Sequence, residues 1–135
     1  MLRFLYVIFM NLFRAPYMIT KMRHEADHPE KYSARERYDL ARHCVRLMKV
    51  TGAIHTRAFG QENLPKEGGY MLYPNHQGKY DALGIVYTHK NTCSIVMDKA
   101  KSNTILVKEF IDLLEGKRLD KKDVRQALTI INEVS

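Results

Sequence analysis

The sequence predicts an α/β fold: an N-terminal pair of amphipathic helices, then the first part of an α/β sheet domain that stops before it is complete. Three observations predict it. From residue 53 onward, short apolar runs of strand type alternate with segments of helical periodicity, as in helices laid on a largely parallel sheet. The first 52 residues instead hold two stretches in which apolar and basic residues recur at helical spacing. The last segment, "IINEVS", is apolar and helical to its end with no terminating Gly, Pro or polar tail, so the chain reads as truncated, the N-terminal portion of something longer. The expected division is a membrane-associating helical segment, 1–52, followed by the N-terminal part of a sheet domain, 53–135.

The opening "MLRFLYVIFMNLFRAPYMITKMR" is rich in Leu, Phe, Ile, Met and Tyr, with Arg3, Arg14, Lys21 and Arg23 spaced along it. Its longest uncharged run, Phe4 to Phe13, is about half of the ~20 residues that a single-pass span needs. "RAP" after that run is a poor small-residue cleavage site, which argues against a signal peptide. An interfacial or re-entrant helix fits better, with aromatic and aliphatic groups in the acyl region and Arg and Lys at the headgroups. The plain alternative is an ordinary core helix. Residues 24–32 are polar, and Pro29 breaks any helix there.

"SARERYDLARHCVRLMKVTG" opens on Ser33 with Glu36 three residues later, a capping box. Tyr38, Ala41, Val45 and Met48 recur at helical spacing, Arg35, Arg42, Arg46 and Lys49 cover much of the remainder, and Gly52 supplies a C′ stop. This basic amphipathic helix either packs on the core with a solvated face or lies on a membrane beside the first. "AIHTRAFG" alternates as a strand does, "QENLPKEGG" is a turn, and "YMLYP" is a short buried-type strand ended by Pro74. "KYDALGIVYTHK" reads as helix and "TCSIVMD" as a buried strand. "SNTILVKEFIDLLEG" is helix from Ile105 to a stop at Gly116, "KRLD" a short strand, and "KDVRQALTIINEVS" helix again.

Composition narrows the partners. Cys44 and Cys93 have neither metal spacing nor a disulfide framework, which points to free thiols in a reducing compartment. Lys plus Arg outnumber Asp plus Glu by 11 to 5 in residues 1–60 and by 11 to 10 in residues 61–135. The cationic first half calls for an anionic surface. Nucleic acid falls behind phospholipid headgroups, because no stacking or helix-turn-helix signature is present. No metal is expected: His24, His28, His43, His55 and His89 lack ligand spacing.

"YPNHQGKYDALG" carries the chemistry. Reactive groups in open α/β sheets cluster beyond the carboxyl ends of strands, where Asn75 and His76 follow "YMLYP". Asp81 falls in the first turn of the next helix if that helix starts near Lys79, and Gly78 lets the backbone fold back. The carboxylate then fixes the imidazole tautomer and leaves the other nitrogen as a base. By spacing alone, a His and an Asp five residues apart are more often structural. No Ser or Cys nucleophile motif accompanies them, so the attacking hydroxyl belongs to the substrate.

"GQENLPKEGGYMLYPNHQGKYDALGI" resembles the first signature block of the lysophosphatidic acid acyltransferases, the 1-acylglycerol-3-phosphate O-acyltransferases among glycerolipid enzymes. That block is marked by Asn-His, four residues, then Asp. The lead-in "GQENLPKEG" and the later "IVMDKAKSNTILVKEFIDLL" extend the likeness from about Ala53 to the end. The resemblance implies acyl transfer in phospholipid biosynthesis from a thioester, acyl-CoA or acyl carrier protein, to the free hydroxyl of lysophosphatidic acid. It implies His76 as general base, Asp81 as its orienting carboxylate and Asn75 as a residue shaping the turn or the substrate site. No bound cofactor is implied, and the place of work is the cytoplasmic face of the cell membrane, as a peripheral or monotopic protein.

The family's second block, a strand ending in Asp-Arg whose Arg meets the acceptor phosphate, matches "KRLDKKDVRQAL" with Asp120 in place and Lys121 instead of Arg. Arg118 and Arg125 read first as solvated charges and, in the alternative, as sharing that phosphate. The third block, Glu-Gly-Thr-Arg, is missing; "EGKR" at 115–118 is a decoy. The competing reading is a non-catalytic peripheral membrane-binding module in which the His–Asp pair is structural.

Overall fold

A computed structural model describes residues 2–67, 69–75, 78 and 80–134. Six α-helices, one 3-10 turn (Gln61–Asn63) and two short strands are described: α1 (Leu2–Asn11), α2 (Arg14–Asp27), α3 (Ala34–Thr51), α4 (Asp81–Thr88), β1 (Val96–Asp98), α5 (Val107–Leu113), β2 (Lys117–Leu119) and α6 (Val124–Val134). The class is mixed α and β.

The first helical stretch is not continuous. Pro16 has no N–H to offer and its ring opposes the carbonyl of Leu12, so α1 stops at Asn11 and α2 restarts at Arg14 with Pro16 in its first turn. Nor does α2 end at Arg23. It runs to Asp27 through polar residues because Met18, Met22 and Ala26 form an apolar stripe turned to the core, with Met22 fully buried. Pro29 lies just past its end.

In α3 the expected capping box is formed: the Glu36 N–H donates to Ser33 Oγ, and the Ser33 N–H donates to Glu36 Oε2 at 2.8 Å. Its far end differs from expectation. Gly52 is the right-handed C-cap, and the left-handed residue is Ala53, at φ 49°. The Ile54 N–H reaches the Lys49 carbonyl at 2.9 Å and the Ala53 N–H the Val50 carbonyl at 3.3 Å, the bond pair of a Schellman motif. An alanine held at positive φ costs about 1 kcal/mol relative to glycine there. Ala53→Gly is therefore expected to stabilise the chain by about 1 kcal/mol, seen as a higher urea midpoint at unchanged slope.

One core joins four helices. Met22 of α2, Tyr38, Ala41, Cys44 and Val45 of α3, Val86 of α4 and Phe110, Leu113 and Leu114 at α5 form a single buried cluster, so the first 52 residues help to build it. The Tyr38 hydroxyl donates to the Val86 carbonyl at 3.0 Å. The basic row Arg35, Arg42 and Lys49 is applied largely to the end of α4. Arg35 Nη1 donates to the Lys90 carbonyl and Arg42 Nε to the Tyr87 carbonyl, while Lys49 Nζ stands 3.6 Å over the Tyr87 ring. Cations are favoured at the carbonyl end of a helix and over an aromatic face.

A second clamp holds α2 to α5. Arg23 Nε donates to Glu109 Oε1 at 2.9 Å, and Glu109 Oε2 accepts the Leu106 N–H at 2.7 Å, satisfying an orphan donor at the start of α5. Ile105 and Leu106 therefore precede the helix and do not begin it; Leu106 has φ 72°. Burial alone pushes the Glu109 carboxyl up, but Arg23 and the backbone N–H groups outweigh it and hold it below the usual carboxylate range. A depressed folded pKa stabilises above the unfolded value of ~4.3 and is lost as pH falls through the folded value. Urea midpoints should fall as the pH drops below ~4.3, and Glu109→Gln is expected to lower the midpoint at pH 6 and flatten that fall.

Two expected strands are absent among the described residues. The segment after Ala53 runs alongside α4: Thr56 Oγ1 bonds Tyr80 Oη at 2.7 Å, and Gln61 Nε2 donates to the Thr88 carbonyl at 2.8 Å. Side chains thus hold it to a helix, and no strand among the described residues offers it a ladder. Tyr70–Tyr73 is likewise irregular, tied at one end by Tyr70 Oη to His89 Nε2 at 3.3 Å, and Tyr73 is exposed. The strands that form are shorter than expected and pair in parallel, Val96 with Lys117 and Asp98 with Leu119. No helix among the described residues is long and apolar enough to cross a membrane.

Candidate active site

Asp81 is the first residue of α4. Its Oδ2 accepts the Gly78 N–H at 2.7 Å, and its own N–H donates to the Gly78 carbonyl at 3.2 Å, so the carboxylate and the turn before the helix fix each other. A carboxylate in the first turn also meets the positive end of the helix dipole. Asn75 is exposed, and it follows an irregular segment where a strand end was expected. His76 lies outside the described residues, as do Gln77 and Lys79.

The residue before Asp81 is anchored as well. Tyr80 packs against the core cluster, and its ring lies over Gly84, where an added Cβ would stand 3.3 Å from Tyr80 Cε1. The bond from its hydroxyl to Thr56 was not foreseeable from spacing, because Thr56 is 24 positions away and no motif marks it.

The second group of nominated residues sits at the carboxyl ends of the two parallel strands. Lys121 Nζ lies 2.9 Å from Asp98 Oδ2, and Lys99 Nζ lies 3.7 Å from Asp120 Oδ2, so two ion pairs cross between the strand ends. The Lys99 N–H extends the ladder to the Leu119 carbonyl at 2.9 Å. Lys121 and then the Ala100 N–H hold the Asp98 carboxyl below its ordinary range. Lys121 remains 71% exposed, and an ion pair so open to water holds it only weakly. Lys101 and Lys122 extend the basic character on either side. Arg125 is exposed on α6, whereas Arg118 is engaged with Asp112 of α5. Asp98 and Lys99 were missed in the sequence. Their signal was available, since both follow directly on an apolar run that reads as a strand.

A cavity of about 140 Å³ between the start of α3 and the approach to β1 is lined by Arg37, Tyr38, Cys93 and Glu115, none of them nominated for chemistry. Burial raises the Cys93 thiol and pushes Cys44 up to about 12, which keeps both protonated and poorly nucleophilic. No cluster able to hold a metal ion is found among the described residues.

The acyltransferase family model matches residues 55–135, a span that includes Asn75, His76, Asp81, Lys121 and Arg125. No curated protein and no solved structure matches the chain. The match covers more than half of the sequence and begins two residues after the turn that ends α3, and by it the chain belongs to the acyltransferase family, of glycerolipid type.

Proposed function

We propose that this acyltransferase moves a fatty acyl group from an acyl thioester, of CoA or acyl carrier protein, to the free hydroxyl of lysophosphatidic acid. The observation that carries the reading is the family match across a segment that holds Asn75-His76 and, five positions on, Asp81. His76 removes the proton as the substrate oxygen attacks the thioester carbonyl carbon. A C–O bond forms, the C–S bond breaks, and the proton passes from the imidazolium to the leaving thiolate. Asp81 orients the ring and stabilises its charged form. Asn75 borders the same turn. The acceptor phosphate is met by Lys121, exchanging its exposed pairing with Asp98 for a phosphate oxygen, with Arg125 nearby in sequence on α6. Lysine does this as a point charge, without the bidentate fork of arginine.

The work is placed at the cytoplasmic face of a phospholipid membrane. Support comes from the exposed Leu5, Tyr6, Phe9, Leu12, Phe13 and Tyr17 of α1, α2 and the break between them; Phe13 is 90% exposed. Apolar groups left in water beside Arg14 and Lys21 suit the boundary between acyl chains and anionic headgroups.

The test is acyl transfer by the full chain to lysophosphatidic acid in vesicles, with an acyl thioester as donor. His76→Ala is expected to lower turnover by about 10²–10⁴-fold. Unchanged turnover, with vesicle co-sedimentation intact, leaves the second reading, a membrane-binding module. That reading is favoured by the apolar face alone.

A further inference from the structure

We infer that Thr56 and Tyr80 are positioning residues that set the direction of the Asp81 carboxylate through a hydroxyl–hydroxyl latch. The inference rests on the reading of Asp81 as the partner of His76, and it adds how the carboxylate is held.

Tyr80 Oη and Thr56 Oγ1 lie 2.7 Å apart in a half-buried setting. Tyr80 directly precedes Asp81, so any rotation of its backbone turns the Cα–Cβ bond of Asp81. The core cluster packs against the Tyr80 ring and Gly84 leaves the ring room one turn along α4, while the Gly84 N–H holds the Tyr80 backbone carbonyl at 2.8 Å. The remaining freedom is swing of the ring about its own bonds, which the hydroxyl contact removes. Thr56 is itself carried on a rigid base, two residues after Ile54, whose N–H closes the Schellman motif of α3. The latch therefore refers Asp81 to the end of the long helix α3. The Gly78 N–H holds the carboxylate from the other side at 2.7 Å. A general base needs its orienting group aimed to within ~10–20°, and shells left loose are the usual failure.

The experiment is an NMR titration of the His76 ring C–H signals in the full chain, assigned by their loss in His76→Gln. An imidazole facing a carboxylate titrates above its isolated value, because the carboxylate favours the charged form. Thr56→Val, which keeps the shape and removes the hydroxyl, is expected to lower the His76 midpoint by about half a pH unit and kcat by about tenfold, with KM for the thioester little changed. Thr56→Ser should restore both, which a merely structural loss of packing would not do. Tyr80→Phe removes the same bond from the other side and stands in if Thr56→Val melts early. Asp81→Asn separates the two ideas. If it shifts the His76 midpoint while Thr56→Val and Tyr80→Phe do not, the latch is overturned and the His76–Asp81 pairing stands. If Asp81→Asn leaves the midpoint unmoved, the pairing itself fails and the latch with it.

Discussion

Asp81→Asn is expected, on the proposed His76–Asp81 mechanism, to slow acyl transfer by about 10²–10⁴-fold in a chain that still folds. Asparagine keeps an oxygen that can accept the Gly78 N–H, so the turn before α4 retains its 2.7 Å bond and the helix its start. What disappears is the negative charge. A neutral amide neither stabilises the imidazolium that forms during attack nor enforces the tautomer that leaves the other ring nitrogen as acceptor. The loss should fall on kcat more than on KM, because the charged imidazolium exists in the transition state and not in the bound ground state. An unfolding free energy from urea titration within ~0.5 kcal/mol of the parent would show that the loss is chemical. A variant with near-parental kcat would remove Asp81 from the mechanism.

Gly116→Ala is expected to cost about 1–3 kcal/mol of stability, the largest effect here for the addition of one methyl group. The added Cβ would stand 2.7 Å from the Ile95 carbonyl oxygen and 2.9 Å from Ile111 Cγ2. Neither can swing aside, because the first is backbone entering β1 and the second belongs to a side chain that is 1% exposed. Gly116 also donates to the Ile111 carbonyl at 2.7 Å, while Glu115 donates to Asp112, which closes α5 in a Schellman motif. The next N–H, of Lys117, bonds the Ile95 carbonyl at 2.9 Å and opens the parallel pair. A methyl group here presses α5 and β1 apart at their junction. Gly69→Ala, where nothing lies within 4 Å, is the control and should stay within ~0.5 kcal/mol. Equal midpoints for the two variants would contradict the packing described.

The Glu115 position shows where reading the sequence runs out. Gly116 was legible as the stop of a helix, and glycine is the usual left-handed residue there. Yet the left-handed residue is Glu115, at φ 52°, and Gly116 is kept for close approach to Ile95. The strain at Glu115 is offset by its 2.7 Å pairing with Arg37, whose side chain is 6% exposed. Ala53 repeats the pattern without a side-chain partner, which is why glycine there is expected to stabilise.

The capping box of α3, a helix through Asp81–Thr88 (beginning at Asp81, however, and not near Lys79), the short strand at Lys117–Leu119 and the acyltransferase motif could be read from neighbours along the chain. These features depend on contacts a few residues apart, and periodicity and capping chemistry act over that range. The joining of Met22 to Phe110, of Arg23 to Glu109, of Thr56 to Tyr80 and of Lys121 to Asp98 came only from the folded chain. So did the absence of strands at Ile54–Gly60 and Tyr70–Tyr73, since an extended run becomes a strand only beside another backbone. Local pattern dictates what a segment can become, and partners brought from dozens of residues away select which of those possibilities is satisfied.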